Sequence, residues 1–168
     1  MPDGNAGLRA RVRGATIIQL RDPAASARRL EREARRLIPT ATVPVIVNSR
    51  IDVALATKAY GVHLPERDVP VAEARRLLPK GLIGRSVHSV EAAQEAESQG
   101  ADYVVFGPVF PTVSHPEATP VGLDALREVA EAVKIPVLAV GGMEPALEES
   151  CWKAGAAGFA AIAYFRGR

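Results

Sequence analysis

The stretch IPVLAVGG (135–142) predicts a β-strand that is apolar on both faces, and VPVIVN (43–48) is a near-repeat of it. Each combines an aliphatic residue, proline and valine with further aliphatic residues, and neither alternates between apolar and polar positions. Strands of this kind are typical of parallel sheets that are covered by other elements. Five further runs share the pattern: ATIIQL (15–20), YGVHL (60–64), LIGRSV (82–87), DYVVFG (102–107) and GFAAIA (158–163).

Amphipathic helical patterns separate these runs. In SARRLEREARRLI (26–38), Leu30, Ala34 and Leu37 recur at helical spacing among charged residues, and Ser26 is a suitable N-cap. The other predicted helices are DVALATKA (52–59), PVAEARRLL (70–78), SVEAAQEAESQG (89–100), GLDALREVAEAV (122–133) and EPALEESCWKAG (144–155). The alternation of strand and helix indicates an α/β fold with a parallel sheet, either doubly wound or a (β/α)8 barrel.

Quasi-repeated units favour the barrel. After a predicted helix, GADYVVFG and GAAGFAAIA both begin with Gly-Ala. The two strands quoted first also follow a predicted helix, and they begin with Ile-Pro-Val and Val-Pro-Val. We therefore expect one (β/α)8 TIM-barrel domain over residues 1–168, lacking the first strand and the last helix because only seven strands are found. Such a barrel would expose an open edge, so we also expect either a homo-oligomer that covers the gap or a chain that begins downstream of its true start.

Composition excludes several classes of function. The 21 Lys and Arg residues against 19 Asp and Glu give a net charge of +2, which does not point to nucleic acid as a partner. The single cysteine, Cys151, excludes an intrachain disulfide and a multi-cysteine zinc site. No signal peptide and no run near the ~20 apolar residues of a membrane span is visible, so we expect a cytoplasmic protein without a membrane partner.

Polar residues follow the predicted strands. In parallel barrels the active site lies at the carboxyl ends of the strands, so these residues are the candidates. The glycine pair of AVGGM could bind phosphate, because backbone N–H groups of such loops bind anions. Alternatively, it only forms a tight turn. The predicted substrate-binding residues are Gln19, Arg21, Asn48, His63, Ser86, Thr112, Ser114, Gly141, Gly142 and Ala163.

Several candidates have a purely structural alternative. Arg21 suits a phosphate or carboxylate, yet a salt bridge to Asp22 or to a glutamate on a neighbouring loop would also explain it. Asp68 is either a metal or acid/base carboxylate or a cap for the following helix. His63 lies in an apolar strand and is a core residue or a ligand contact.

The other two histidines are the predicted catalytic residues. His88 precedes a helix and could instead hydrogen-bond the turn. His115 lies in the loop FGPVFPTVSHP (106–116), where histidine suits proton transfer or anion binding because it titrates near neutrality.

Seven motifs resemble, in order and spacing, those of the thiamine-phosphate synthase and TenI superfamily over about residues 14–165. They are GATIIQLRD, VPVIVNSRIDVALA, GVHLPERDVPVAEAR, IGRSVHSVEAA, GADYVVFGPVFPT, PVGLDALREVA and IPVLAVGGM. The resemblance implies a (β/α)8 barrel. In the synthase branch a thiazole phosphate attacks a pyrimidine diphosphate, which loses pyrophosphate with the help of magnesium.

The resemblance also implies roles for individual residues. Gln19 and Arg21 match positions that contact the pyrimidine and the pyrophosphate, and Asp68 matches a magnesium ligand. The further matches are Asn48, Ser86 and Thr112, whereas Pro23, Ser49, Ser114 and His115 replace a lysine, the second metal aspartate, a threonine and a pyrophosphate-binding lysine.

These replacements remove charge from the synthase site, and GRSVHS resembles the TenI branch, which aromatises a thiazole carboxylate phosphate tautomer without metal. That branch's catalytic histidine falls at Pro108 here, so His115 or His88 would have to replace it. We expect a TenI-like thiazole tautomerase that binds a thiazole phosphate without a cofactor. Two alternatives stay open: a thiamine-phosphate synthase with Mg²⁺ at Asp68, and a catalytically silent ligand-binding or regulatory protein.

Overall fold

The computed structural model describes residues 14–113, 116–162 and 164. Seven strands form one parallel sheet in which every strand lies beside its neighbour in the chain. Their bounds are β1 Ile18–Leu20, β2 Val45–Asn48, β3 Gly61–Leu64, β4 Leu82–Val87, β5 Tyr103–Phe106, β6 Val137–Val140 and β7 Gly158–Ala160. This sequential order is that of a curled, barrel-type sheet and excludes the doubly wound alternative, in which the strand order reverses.

Helices connect the strands. They are α1 Ala27–Leu37, α2 Ile51–Thr57, α3 Val71–Leu77, α4 Val90–Ser98, α5 Gly122–Ala132 and α6 Glu148–Lys153, with short 3-10 turns at Ile38–Thr40 and Pro145–Leu147. The predicted caps are confirmed, since Ser26 accepts from the backbone N–H of Arg29 and Ser89 from that of Ala92. No helix of the described residues is long and apolar enough to cross a membrane.

The apolar core divides into two layers. The larger layer lies between the helices and one face of the sheet, where Leu30 and Ala34 of α1 and Val71 of α3 belong to the same buried cluster as Val47 and Val62 of the strands. A second, smaller layer lies on the opposite face and contains Ile46, Tyr103 and Val105, with Leu82, Leu138, Val140 and Ala160 packed against them. The second face is the interior of the curled sheet.

Helix α6 buries only one of two neighbouring residues. Cys151 is buried, whereas Trp152 is 52% exposed. Successive helical residues point about 100° apart, so two neighbours cannot both face the sheet. Burial also raises the pKa of the Cys151 thiol above its usual value.

Candidate active site

Strand register places four predicted site residues on the interior face of the sheet. Gln19 is paired with Ile46, and Asn48, two residues further along β2, is paired with His63. His63 is paired with Gly84, and Ser86 lies two residues beyond it on β4. Because side chains of a strand alternate between faces, Gln19, Asn48, His63 and Ser86 share one side.

The side chains of Gln19 and Asn48 form a hydrogen-bonded pair. The amide Nε2 of Gln19 donates to Oδ1 of Asn48 at 2.7 Å, and Nδ2 of Asn48 donates to the Ser49 hydroxyl at 3.2 Å. Ser49 has a φ of 63°, a left-handed conformation that turns the chain out of β2 at this point. The pair is preorganised at the carboxyl ends of β1 and β2, where it can offer amide donors and acceptors to a heterocycle.

His63 is buried and joins two neighbours on the same face. Its Nδ1 lies 3.2 Å from the hydroxyl of Tyr103, and its Nε2 lies 2.8 Å from Oγ of Ser86. Burial, together with smaller contributions from the positive charges of Arg85 and Arg21, lowers the pKa of His63 to about 4. The imidazole is therefore neutral near pH 7. Its burial is what a core residue requires, and contact of His63 with a ligand stays a prediction.

The loop that begins FGPVFP is held from two sides. Nδ1 of His88 donates to the carbonyl of Gly107 at 2.7 Å, and the N–H of Val109 donates to the carbonyl of Val140 at 2.8 Å. The peptide between Gly107 and Pro108 is cis. His88 thus makes a hydrogen bond to the backbone of the loop, as expected if its role is structural. Its catalytic role stays a prediction.

The glycine pair after β6 packs directly against this loop. Gly141 and Gly142 have φ values of 95° and 64°, in the left-handed region. A Cβ on Gly141 would lie 2.6 Å from Cβ of Pro108, and one on Gly142 would lie 2.3 Å from the carbonyl oxygen of Pro111. Both positions therefore require glycine, and phosphate binding by their backbone stays a prediction.

Arg21 is exposed and forms no ion pair with a residue in the described ranges. The alternative of a salt bridge to Asp22 is wrong, because Asp22 pairs with Arg29 on α1 at 3.3 Å. Arg50 and Asp52 pair with each other, Nε to Oδ1 at 2.8 Å. Arg21 is thus a cation at the end of β1 whose guanidinium is available for an anion.

Asp68 lies on the loop after β3. Its Oδ1 accepts from the backbone N–H of Val69 at 2.8 Å, and it does not cap α3, whose N-cap is Pro70 without a side-chain hydrogen bond. Arg85 holds the same loop by donating to the carbonyl of Val69 at 2.9 Å and to that of Glu66. Within the described part of the chain, no group of three or more His, Cys, Asp and Glu residues could hold a metal ion by itself.

Four predicted positions are less informative. Thr112 is described and partly buried at the loop after β5. Ser114, His115 and Ala163 lie outside the described residues, so their predicted roles stay predictions.

Two residues of the interior face were missed by sequence reasoning. Tyr103 bonds to His63, and Gly84 lies between them on β4 in the same row of paired residues. A period-2 count along YVVF from a buried Val104 would have placed Tyr103 on the interior face, but its partner lies 40 residues away and two strands across.

The comparisons with known proteins point to one family. The model of the family described as Thiamine monophosphate synthase matches residues 6–165. A thiamine-phosphate synthase of Methanocella arvoryzae is 50% identical over 153 residues, which is 88% of this chain and 72% of the relative. One of Chloroflexus aurantiacus is 46% identical over 155 residues, 90% of this chain and 72% of the relative.

A solved structure agrees as well. A thiamine phosphate pyrophosphorylase from Pyrococcus furiosus superposes with a TM-score of 0.86 at 39% identity, over 99% of this chain and 82% of that one. It confirms the predicted barrel-type fold. The expectation of a TenI-like tautomerase that aromatises a thiazole is wrong, because these relatives are named for the synthase reaction. GRSVHS and the replaced lysine were therefore insufficient to place the chain in the TenI branch.

Proposed function

The chain belongs to the thiamine monophosphate synthase family, and on this premise we propose that it joins a hydroxymethylpyrimidine diphosphate to a thiazole phosphate. In this reaction the thiazole nitrogen forms a bond to the methylene carbon of the pyrimidine. The carbon–oxygen bond to the diphosphate breaks, and pyrophosphate leaves with the electron pair. The observation that carries the proposal is the 50% identity to a thiamine-phosphate synthase over 88% of this chain.

The polar interior face supports binding of the heterocycle. Gln19 and Asn48 are already hydrogen-bonded to each other at 2.7 Å, so little side-chain freedom is lost when a ligand arrives. The partly exposed hydroxyl of Ser86 adds a third polar group beside the buried His63. Three neutral groups on one face suit an uncharged aromatic ring with donors and acceptors on its edge.

Arg21 and the glycine pair at the strand ends support binding of the two phosphate-bearing substrates. Arg21 offers a planar fork of donors that matches phosphate oxygens. Gly141 and Gly142 lie at the end of β6, where backbone N–H groups of loops commonly bind phosphate in barrel enzymes. The proposal places the diphosphate beside Arg21 and the thiazole phosphate beside the glycine pair.

Magnesium fits this site if the diphosphate of the substrate supplies ligands beside Asp68. Asp68 has one carboxylate oxygen, Oδ1, bonded to a backbone N–H, and Oδ2 has no hydrogen bond to a described residue. Mg²⁺ is commonly held by one or two carboxylates together with substrate phosphates and water. Asp68 would hold the ion with the oxygens of the diphosphate, where the metal supplies neutralisation of the charge that develops on the leaving group.

Paired assays test the proposed function. Purified protein is incubated with hydroxymethylpyrimidine diphosphate, thiazole phosphate and MgCl2, and thiamine phosphate and pyrophosphate are measured in the same reaction. We expect the two products in a 1:1 ratio and none when the thiazole phosphate is omitted. Binding of thiazole phosphate by calorimetry without either product would overturn the proposal in favour of a ligand-binding protein.

A homo-oligomer also stays a proposal.

A further inference from the structure

Three neighbouring strands place a hydrogen-bonded chain across the interior face. His63 of β3, Gly84 of β4 and Tyr103 of β5 are paired in one row, so the two side chains are separated by a whole strand. They still meet, with ring centroids 5.8 Å apart and planes inclined by 29°, because Gly84 has no side chain between them. A Cβ on Gly84 would lie 2.0 Å from Cζ of Tyr103.

The direction of the hydrogen bonds follows from which atoms can donate. A neutral imidazole has one donor nitrogen and one acceptor nitrogen. The phenol of Tyr103 has no other hydrogen-bond partner among the described residues, and the residue is buried. If Nδ1 of His63 carried the proton, the O–H of Tyr103 would be a buried donor without an acceptor among the described residues, which is unfavourable.

Tyr103 therefore donates to Nδ1, and the proton of His63 lies on Nε2. Nε2–H then donates to Oγ of Ser86, 2.8 Å away. The Ser86 hydroxyl proton cannot point toward His63, and no other described residue bonds to this hydroxyl. It is free to donate to a ligand on the interior face.

We propose that Tyr103 and His63 are positioning residues that orient the Ser86 hydroxyl as a hydrogen-bond donor to an acceptor atom of the substrate. The chain of bonds runs from Tyr103 through His63 to Ser86, and each member sets the direction of the next. This inference rests on the proposed function for the identity of the ligand. The direction of the bonds in the free protein does not depend on it.

The first test uses the free protein, with no substrate. Two-dimensional ¹H–¹⁵N spectra of ¹⁵N-histidine-labelled protein distinguish the two neutral tautomers, and loss of signals in His63→Gln assigns the resonance among the three histidines. We expect the Nε2–H tautomer in the wild type and a mixture of tautomers in Tyr103→Phe. An Nδ1–H tautomer in the wild type would overturn the proposal.

The second test asks whether Tyr103 acts through Ser86. We expect Tyr103→Phe to lower kcat/KM of coupling about tenfold in the wild-type background and less than twofold in a Ser86→Ala background. Equal losses in both backgrounds would contradict the proposal. Tyr60→Phe is the matched control, since Tyr60 is 59% exposed and should lose nothing.

The two proposals fail separately. A wild-type protein that produces no thiamine phosphate but shows the Nε2–H tautomer refutes the proposed function and supports the hydrogen-bonded chain. An active wild type with the Nδ1–H tautomer does the reverse.

Discussion

The hydroxyl of Tyr103 and Nδ1 of His63 lie 3.2 Å apart although a complete strand, β4, runs between them. The contact exists because the residue between them is Gly84. A side chain at position 84, on the middle strand, would therefore separate His63 from Tyr103.

Gly84→Ala should destabilise the protein by about 1–3 kcal/mol, because its Cβ would lie 2.0 Å from the Tyr103 ring and force the ring to move. Denaturant unfolding measures this change. Gly158→Ala is the control, since its Cβ would meet the movable Cδ2 of Leu138 at 3.3 Å and should cost less. A loss of unfolding free energy in Gly84→Ala no larger than that in Gly158→Ala would contradict the predicted clash with Tyr103.

Loss of His63 should change how stability depends on pH. Burial lowers the pKa of His63 from 6.5 to about 4, so between these values the unfolded chain binds a proton that the folded protein does not. The free energy of unfolding should therefore fall by about 3 kcal/mol from this residue as the pH drops from 6.5 to 4, and recover as it rises. Unfolding of wild type and His63→Gln at several pH values measures the difference. Parallel profiles would contradict the shifted pKa.

His88 should be replaceable by a residue that keeps its hydrogen bond. Asparagine can present an N–H near the position of Nδ1, whereas alanine leaves the Gly107 carbonyl without this donor. We expect His88→Asn to keep most of the coupling rate and His88→Ala to lose stability of about 1 kcal/mol together with activity. If both variants lost activity while remaining equally stable, His88 would act as a catalytic imidazole rather than as a support of the loop.

Arg21 should matter for binding and little for stability. Its side chain makes no ion pair with any residue that the structure describes, and contacts of this kind to a leaving diphosphate are worth roughly 100-fold in rate. We expect Arg21→Gln to lower kcat/KM by about that factor with an unchanged denaturation midpoint. Arg76→Gln is the control, because Arg76 pairs with Glu73 on the surface of α3. An unaffected Arg21→Gln would place the diphosphate elsewhere.

Asp68 should control the need for magnesium. We expect Asp68→Asn to raise the Mg²⁺ concentration for half-maximal coupling about tenfold or more, since one carboxylate ligand is lost. Titration of MgCl2 in the coupling assay measures this. Glu131→Gln, an exposed residue at the far end of α5, should leave the titration unchanged. The same titration for Asp68→Asn as for wild type would remove Asp68 from the metal site.

Local signals in the sequence predicted the elements and their ends closely. The helix predicted at 26–38 is α1 at Ala27–Leu37, and Gly100 and Gly155, the last residues of two predicted helices, have φ values of 93° and 89°. These features depend on side-chain periodicity and on caps within a few residues. The alternation of strand and helix also predicted the parallel sheet and its polar carboxyl ends.

The family resemblance was visible in the motifs, but the branch was not. The replacements at Ser49, Pro23 and His115 predict a weakened synthase site, whereas a relative with 50% identity is named a thiamine-phosphate synthase. A substitution read in isolation does not tell what a neighbouring residue or the substrate's own phosphates supply.

The sequence by itself determined the elements, their order and the set of polar residues at the strand ends, because these depend on contacts within a few residues. Only the tertiary structure decided which of those residues meet. Gln19 pairs with Asn48 from 29 residues away, and His63 joins Ser86 and Tyr103 through strand register and the gap at Gly84. Register between strands is a non-local property, set when several strands pack at once, and no short stretch of the chain encodes it.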